Sequence, residues 1–259
     1  MNYTYKLTTR GLCSELNSLL GFYESVIDED CQIFIDASAS QYFKSVSILD
    51  VFKFPSAFIN SPHSDSTIIS GNRWRKSAVI QHKTKLTTQQ CAEFFSYTDT
   101  FKQKLNKNIT KLSLPTKFNC FHIRRGDKVG EKLYEWTQKT GRTESKRFEF
   151  CDYLKHCKNI ETIFIMTDDY RCIQEAREYI NNNNLPHNIL YLTQEPQGGH
   201  SETLNIQNDR RYSKQELVQF FSEIEIAKQS QQFIGTKSSN IFRYITNQCV
   251  KDVEFISLD

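Results

Sequence analysis

A chain of 259 residues, 38% hydrophobic and 13% aromatic, is long enough to bury one large α/β core or two smaller ones, so disorder is not the default reading. Its 33 basic and 30 acidic residues nearly cancel, so an anion site must be a local cluster rather than a chain-wide field. No apolar run reaches the ~20 residues that span a bilayer, and the N-terminus MNYTYKLTTRGLCSELN lacks the basic-then-apolar pattern of a signal peptide. Eight scattered cysteines include no CxxC pair, which disfavours zinc ligation or a thioredoxin-like redox site. Reduced, mostly buried thiols in a cytoplasmic or otherwise soluble intracellular protein are the expectation.

In chain order, NYTYKL reads as a strand, LCSELNSLLGFYESV as a helix with an apolar stripe through Leu16, Leu19, Leu20 and Tyr23, and CQIFIDAS as a strand. That is one βαβ unit. INSPHSDSTIISGN is polar punctuation, and a single helix is predicted from about Thr88 to Leu112, ended by Leu114-Pro115. The second half alternates strands FNCFHI, TIFIMT, NILYL and QQFIGT with helical stretches YRCIQEAREYI and KQELVQFFSEIEIAKQS. Strands alternating with helices predict parallel, doubly wound sheets, whose ligands bind in loops at the carboxyl ends of strands. The expected division is an N-terminal α/β lobe, 1–112, and a C-terminal Rossmann-like lobe, 113–259.

Three strand ends carry chemistry. After FHI comes RRGDK, where the guanidiniums of Arg124 and Arg125 have the planar donor forks that match a diphosphate. The plainer reading is a solvated charged turn, and His122 reads equally as a satisfied core histidine. After TIFIMT comes Asp168-Asp169. One of the two suits a helix N-cap, and the other suits a sugar hydroxyl or an arginine of the RRGDK loop. Two adjacent acids without a third spaced ligand make a poor metal site. After QQFIG, Thr236, Ser238 and Ser239 precede a helix, a position suited to phosphate or to ordinary serine capping. Glu223 borders the apolar stripe of the helix upstream, either as a solvated flank or turned into the cleft. Neither a GxGxxG fingerprint nor a GxxxxGK[ST] loop is present, which disfavours dinucleotide enzymes and P-loop phosphotransferases. The combination describes a nucleoside-diphosphate site with sugar-binding acids.

HIRRGDKVGE resembles the HxRRxDKxG motif of the α1,6-fucosyltransferase family, shared more loosely with α1,2-fucosyltransferases and protein O-fucosyltransferases. FIMTDD and FIGTKSSNIFR are similar to that family's second and third motifs, and RGLCSELNSLLGF to the stretch that opens its catalytic domain. The resemblance implies a GT-B-like architecture of two Rossmann-like lobes with a cleft between them, the N-terminal one on the acceptor side. It implies inverting transfer of L-fucose from GDP-fucose to a glycan hydroxyl, usually without metal and with no cofactor besides the nucleotide-sugar. By motif position, Arg124 and Arg125 bind the pyrophosphate with help from Lys128, His122 and Glu223 meet the guanine base, and Ser238 and Ser239 hold phosphate. Glu131 lies nearest the family's general base, with Asp127 as runner-up. Competing readings are the same scaffold with another donor such as UDP-xylose, a binding protein without turnover, and an adhesion protein presenting Arg125-Gly126-Asp127.

Overall fold

The computed structural model describes residues 1–70, 85–125, 146–158, 160–194 and 208–259. Asp127, Lys128 and Glu131 lie outside these residues. The chain divides into two compact units, one of Met1–Lys104, Glu202–Val218 and Asn247–Val250, the other of Leu105–Ser201, Gln219–Thr246 and Lys251–Asp259.

The first unit carries a four-stranded sheet in the order β3-β2-β1-β4, with β1 at Asn2–Lys6, β2 at Gln32–Asp36, β3 at Phe58–Ile59 and β4 at Thr67–Ser70. All three pairings are parallel. Helix α1, Leu12–Val26, joins β1 to β2 as its apolar stripe predicts, burying Leu12, Leu16, Leu19, Leu20 and Phe22. Phe22 stacks on Tyr5 of β1 with ring centroids 5.1 Å apart. A one-turn helix α2, Ile48–Val51, follows β2.

Two local features depart from the sequence reading. Thr67–Ser70, inside the stretch read as polar punctuation, is a strand, because pairing with β1 supplies what its own composition does not. The helix expected from Thr88 to Leu112 is two, α3 at Thr88–Phe94 and α4 at Asp99–Thr110. The break is built by backbone pairing of Tyr97 with Phe52 and by Thr98, whose amide bonds the Val51 carbonyl at 2.9 Å. The Thr98 hydroxyl accepts the Phe101 N–H, a new helix start.

The second unit carries a five-stranded, all-parallel sheet in the order β7-β6-β5-β8-β9. Its strands are β5 at Asn119–Ile123, β6 at Thr162–Thr167, β7 at Asn188–Tyr191, β8 at Gln232–Gly235 and β9 at Glu254–Ser257. The helices are α5 at Phe150–Leu154, α6 at Arg171–Asn182, α7 at Lys214–Ala227 and α8 at Asn240–Gln248. β5 is the middle strand and every one of its residues is buried. Phe121 and Ile123 point into a core with Phe150, Tyr153, Ile163, Ile165 and Ile173. By the two-residue alternation of a strand, Cys120 and His122 point to the other face, where His122 stacks near Phe233 of β8.

All eight cysteines are free thiols, six of them buried. Among the described residues no helix is long and apolar enough to cross a membrane.

Phe121 is fully buried and touches the rings of Phe150 and Tyr153. Phe121→Ala is therefore expected to destabilise the protein by ~3–5 kcal/mol in urea unfolding; a loss below about 1 kcal/mol would mean that this core does not hold the sheet.

Candidate functional site

The strand order locates the site before any side chain is considered. From β5 the chain builds outward through β6 to β7 on one side, then returns to lay β8 and β9 on the other. The direction of winding reverses between β5 and β8, and in open parallel sheets the crevice beyond that reversal is where ligands sit. Arg124 and Arg125 leave the carboxyl end of β5, Asp168 and Asp169 that of β6, and Thr236, Ser238 and Ser239 that of β8.

The two arginines have different surroundings. Arg125 is 5% exposed. Its Nη1 donates to the Phe148 carbonyl at 2.8 Å and its Nη2 to Glu175 Oε2 at 3.0 Å. Its guanidinium is thus committed to a buried ion pair, which corrects its expected role as a diphosphate grip. A side chain held this way cannot serve an exposed adhesion tripeptide either. Arg124 is partly exposed and remains beside the site.

The two aspartates also separate. Asp168 Oδ1 accepts the Arg125 backbone N–H at 2.9 Å, so the acid of β6 fixes the first turn of the loop leaving β5. Asp169 is 1% exposed and faces the start of α6, where Oδ1 accepts the Arg171 N–H at 3.0 Å and the carboxylate pairs with the Arg171 side chain. Bonding the first amide of α6 and pairing with the Arg171 side chain engages both carboxylate oxygens, which gives Asp169 a structural role at the start of α6.

On the β8 side the expected phosphate seat already holds an acid. The Lys237 and Ser238 amides donate to the Asp259 carboxylate at 2.7 and 3.3 Å, and the Ser257 hydroxyl to the same group at 2.7 Å. The Leu258 amide bonds the Gly235 carbonyl, extending the β8–β9 ladder and delivering Asp259 to the turn. These bonds hold the Asp259 carboxyl below its ordinary range despite partial burial. Ser239 Oγ accepts the Ile241 N–H, and its own amide bonds the Thr236 carbonyl. Ser239 therefore caps α8, Ser238 is engaged by Asp259, and Thr236 closes the turn between them. Asp259 lies 21 residues beyond Ser238, and no motif pointed to it.

Two buried polar atoms point to a ligand. His122 is 3% exposed, and its Nδ1 has no hydrogen-bond partner among the described residues. Burial, helped by the nearby Arg124 charge and opposed by Asp168, pushes its pKa down to about 4, so the imidazole is neutral. Glu223 of α7 is 5% exposed, and its Oε1 has no partner either. Burial pushes its pKa up to about 8; a hydrogen bond from Gln219 opposes the shift and the Asp168 charge adds to it. Glu223 acts on the same face of β5 as His122, since its charge raises the buried Cys120 thiol. Gly235 packs closely there: a methyl in its place would lie 3.1 Å from Phe242 Cδ2 and 3.3 Å from His122 Cβ. A neutral carboxyl and a neutral imidazole, each with an unpartnered polar atom and the imidazole near the Arg124 charge, suit the polar edge of a heterocycle attached to an anion.

No protein-family model matches the chain, and no curated protein matches it in sequence. Solved structures share its fold. The α-1,6-fucosyltransferase NodZ from Bradyrhizobium, co-crystallised with GDP, aligns over 95% of this chain and 92% of its own with a TM-score of 0.50 and 8% identity. POFUT1 in complex with GDP-fucose aligns over 99% of this chain and 98% of its own with a TM-score of 0.52 and 10% identity. The chain thus has the GT-B-like α/β fold of fucosyltransferase structures.

The two shifted groups fix a pH dependence. His122, lowered from 6.5 to about 4, contributes stability above pH 6.5 that is lost as pH falls. Glu223, raised from 4.5 to about 8, contributes stability below pH 4.5 that is lost as pH rises. Between pH 4.5 and 6.5 the two slopes cancel. From pH 6.5 to 8 only Glu223 acts, and it should remove about 2 kcal/mol of stability. Urea titrations at both pH values are expected to show that loss in the parent protein and its absence in Glu223→Gln.

Proposed function

We propose that this protein is a glycosyltransferase that moves a sugar, L-fucose, from GDP-fucose to a glycan hydroxyl. The observation that carries the reading is the neutral Glu223 with an unpartnered oxygen at the switch point of the sheet, in a fold shared with a GDP-fucose-bound fucosyltransferase.

Guanine presents two adjacent donors, N1–H and the exocyclic amine, and a carboxylate accepts both in parallel. Uracil presents one N–H flanked by two carbonyl oxygens, which a carboxylate meets with like-charge repulsion. Glu223 therefore favours a guanine donor over UDP-xylose. Glu223 is protonated in the free site at neutral pH and ionises against two donors, so nucleotide binding releases a proton. His122, a neutral imidazole with an unpartnered Nδ1, is available to one further polar atom of the base.

Arg124, the arginine left beside the site, takes the diphosphate, and Lys128 assists. As the bond from sugar C1 to phosphate breaks with oxocarbenium character, charge accumulates on the leaving GDP, and a fixed guanidinium stabilises it. With Asp259 already on the Lys237 and Ser238 amides, the phosphate contacts fall on Arg124 and Lys128 rather than on Ser238. The acceptor hydroxyl attacks C1 on the face opposite the nucleotide, inverting its configuration. A carboxylate, Glu131 or Asp127, removes the hydroxyl proton as the new bond forms.

Calorimetry with GDP and UDP tests the base assignment. GDP should bind at least tenfold more tightly than UDP, with a binding enthalpy at pH 7 that varies with buffer ionisation enthalpy. Glu223→Gln should weaken GDP by roughly 10- to 100-fold, since one of two charge-assisted bonds is lost. Equal affinity for both nucleotides would overturn the reading. Arg124→Lys keeps the charge but not the fork, and is expected to lower turnover of GDP-fucose by roughly 100-fold with an unchanged unfolding midpoint. Near-parental turnover would remove Arg124 from the diphosphate.

A further inference from the structure

The turn between β8 and α8 holds an anion that belongs to the chain itself. Lys237 and Ser238, consecutive in sequence, bring both backbone amides to one carboxylate, donating to Asp259 Oδ1 at 2.7 Å and to Oδ2 at 3.3 Å. The Ser257 hydroxyl donates to Oδ1 at 2.7 Å. Two successive amides ahead of a helix start, joined by a hydroxyl, form a concave donor set that suits a small oxyanion. A separate feature points to a ligand at this turn. Gly235, two residues before Lys237, packs against His122, and a Cβ added to it would lie 3.5 Å from His122 Nδ1. That nitrogen is buried and has no hydrogen-bond partner among the described residues. A molecule that satisfies it lies against the strand end from which the turn departs.

We infer that Asp259 is a specificity-determining residue that acts as an internal competitor, its carboxylate occupying an oxyanion seat on the Lys237 and Ser238 amides that a phosphate group of the ligand would otherwise take. For the identity of that anion the inference rests on the nucleotide reading above. Carboxylate and phosphate need the same donors and carry the same sign of charge, so each excludes the other from the seat. The competitor is tethered. The Leu258 amide bonds the Gly235 carbonyl at 2.9 Å, which fixes the backbone one residue before Asp259 and keeps the carboxylate at a high effective concentration over the two amides. A phosphate meets an open seat only in the fraction of molecules whose Asp259 has swung away, and its apparent affinity there falls by that fraction.

The occupancy is reversible. Asp259 is exposed, so its side chain can rotate into water about its own bonds while the bond from Leu258 to Gly235 stays in place. Asp169, the acid at the start of α6, differs: it is 1% exposed and paired with Arg171, which fixes it. Against partial burial, which acts the other way, the bonds from Ser238, Ser257 and Lys237 hold the Asp259 carboxyl below its ordinary range, so the competitor is ionised at neutral pH.

Inorganic pyrophosphate and guanosine separate the seat from the base pocket. Asp259→Ala is expected to bind pyrophosphate about tenfold more tightly than the parent and guanosine within about twofold of it, because the competitor is gone and the base contacts are untouched. Asp259→Asn keeps the side-chain volume but loses the charge, and should gain pyrophosphate affinity in the same direction. In amide NMR spectra of Asp259→Ala, the Lys237 and Ser238 signals should shift saturably with pyrophosphate at concentrations that leave the same two signals of the parent unmoved. Unchanged or weaker pyrophosphate binding in both variants, a parallel gain for guanosine, or a gain in which the Lys237 and Ser238 amides do not shift would each overturn the assignment. If neither guanosine nor GDP binds the parent, the nucleotide reading falls by itself; the response of the two amides to pyrophosphate decides the seat whatever that result.

Discussion

A strand with parallel neighbours on both sides and protein on both faces can carry a polar side chain only where a partner has been built for it or where a ligand will supply one. β5 is that strand, with all five residues buried at the centre of its sheet. The polar chemistry of the site is concentrated where β5 ends, because there the backbone amides run out of ladder partners and the surrounding loops can provide others. Asp168 takes the first such amide. The placement of Arg124, Arg125 and the chain beyond them follows from that bond and from the strand before it.

The same burial sorts the titratable groups by charge state. His122 and Glu223 lie deep enough that desolvation outweighs their charged neighbours, so both are neutral near pH 7. Arg125, equally buried, has the Glu175 carboxylate at 3.0 Å to balance its charge. The difference is one of partners rather than depth. An unpartnered carboxyl at Glu223 lowers the stability of the free protein above its ordinary pKa, and a ligand bearing two donors offsets that loss on binding. Stability given up at a site in this manner is commonly recovered as affinity.

Much of the fold was legible because parallel α/β units need long, strongly patterned elements. NYTYKL, LCSELNSLLGFYESV, FNCFHI and TIFIMT each became the element they read as. The elements missed are short or at sheet edges. Thr67–Ser70 and Glu254–Ser257 have four residues each, lie at sheet edges and owe their strand geometry to the neighbour they pair with. In the site, the motifs marked the correct strand ends but not which member of each pair was available. Asp259 on the Lys237 and Ser238 amides was invisible, since only the β8–β9 pairing brings it there. Glu175 carries no motif at all; its pairing with Arg125 appears only when α6 is laid against the chain at Phe150.

The fate of the paired residues nevertheless follows a rule that the sequence contains. Side chains alternate across a sheet with a period of two, and the alternation persists for the first residues beyond each strand end. On β5, Phe121 and Ile123 face the aromatic core, and so does Arg125, which ends beside Phe148 and Glu175. Cys120 and His122 face the other side, and Arg124 acts electrostatically on His122 there. On β6, Ile163 and Ile165 belong to the core face, and Asp169, which bonds the Arg171 amide at the start of α6, shares their parity. Asp168 has the parity of Phe164 and Met166, which pair in register with Cys120 and His122, and its charge reaches both His122 and Glu223. Counting back in twos from a buried apolar residue thus separates the member of Arg124-Arg125 and of Asp168-Asp169 that shares the face of Phe121 from the one that shares the face of His122. The count needs the core face to be known, and adjacent charged residues in a motif do not reveal it. Here Phe121 and Ile123 mark that face, since both join the cluster of Phe150 and Tyr153.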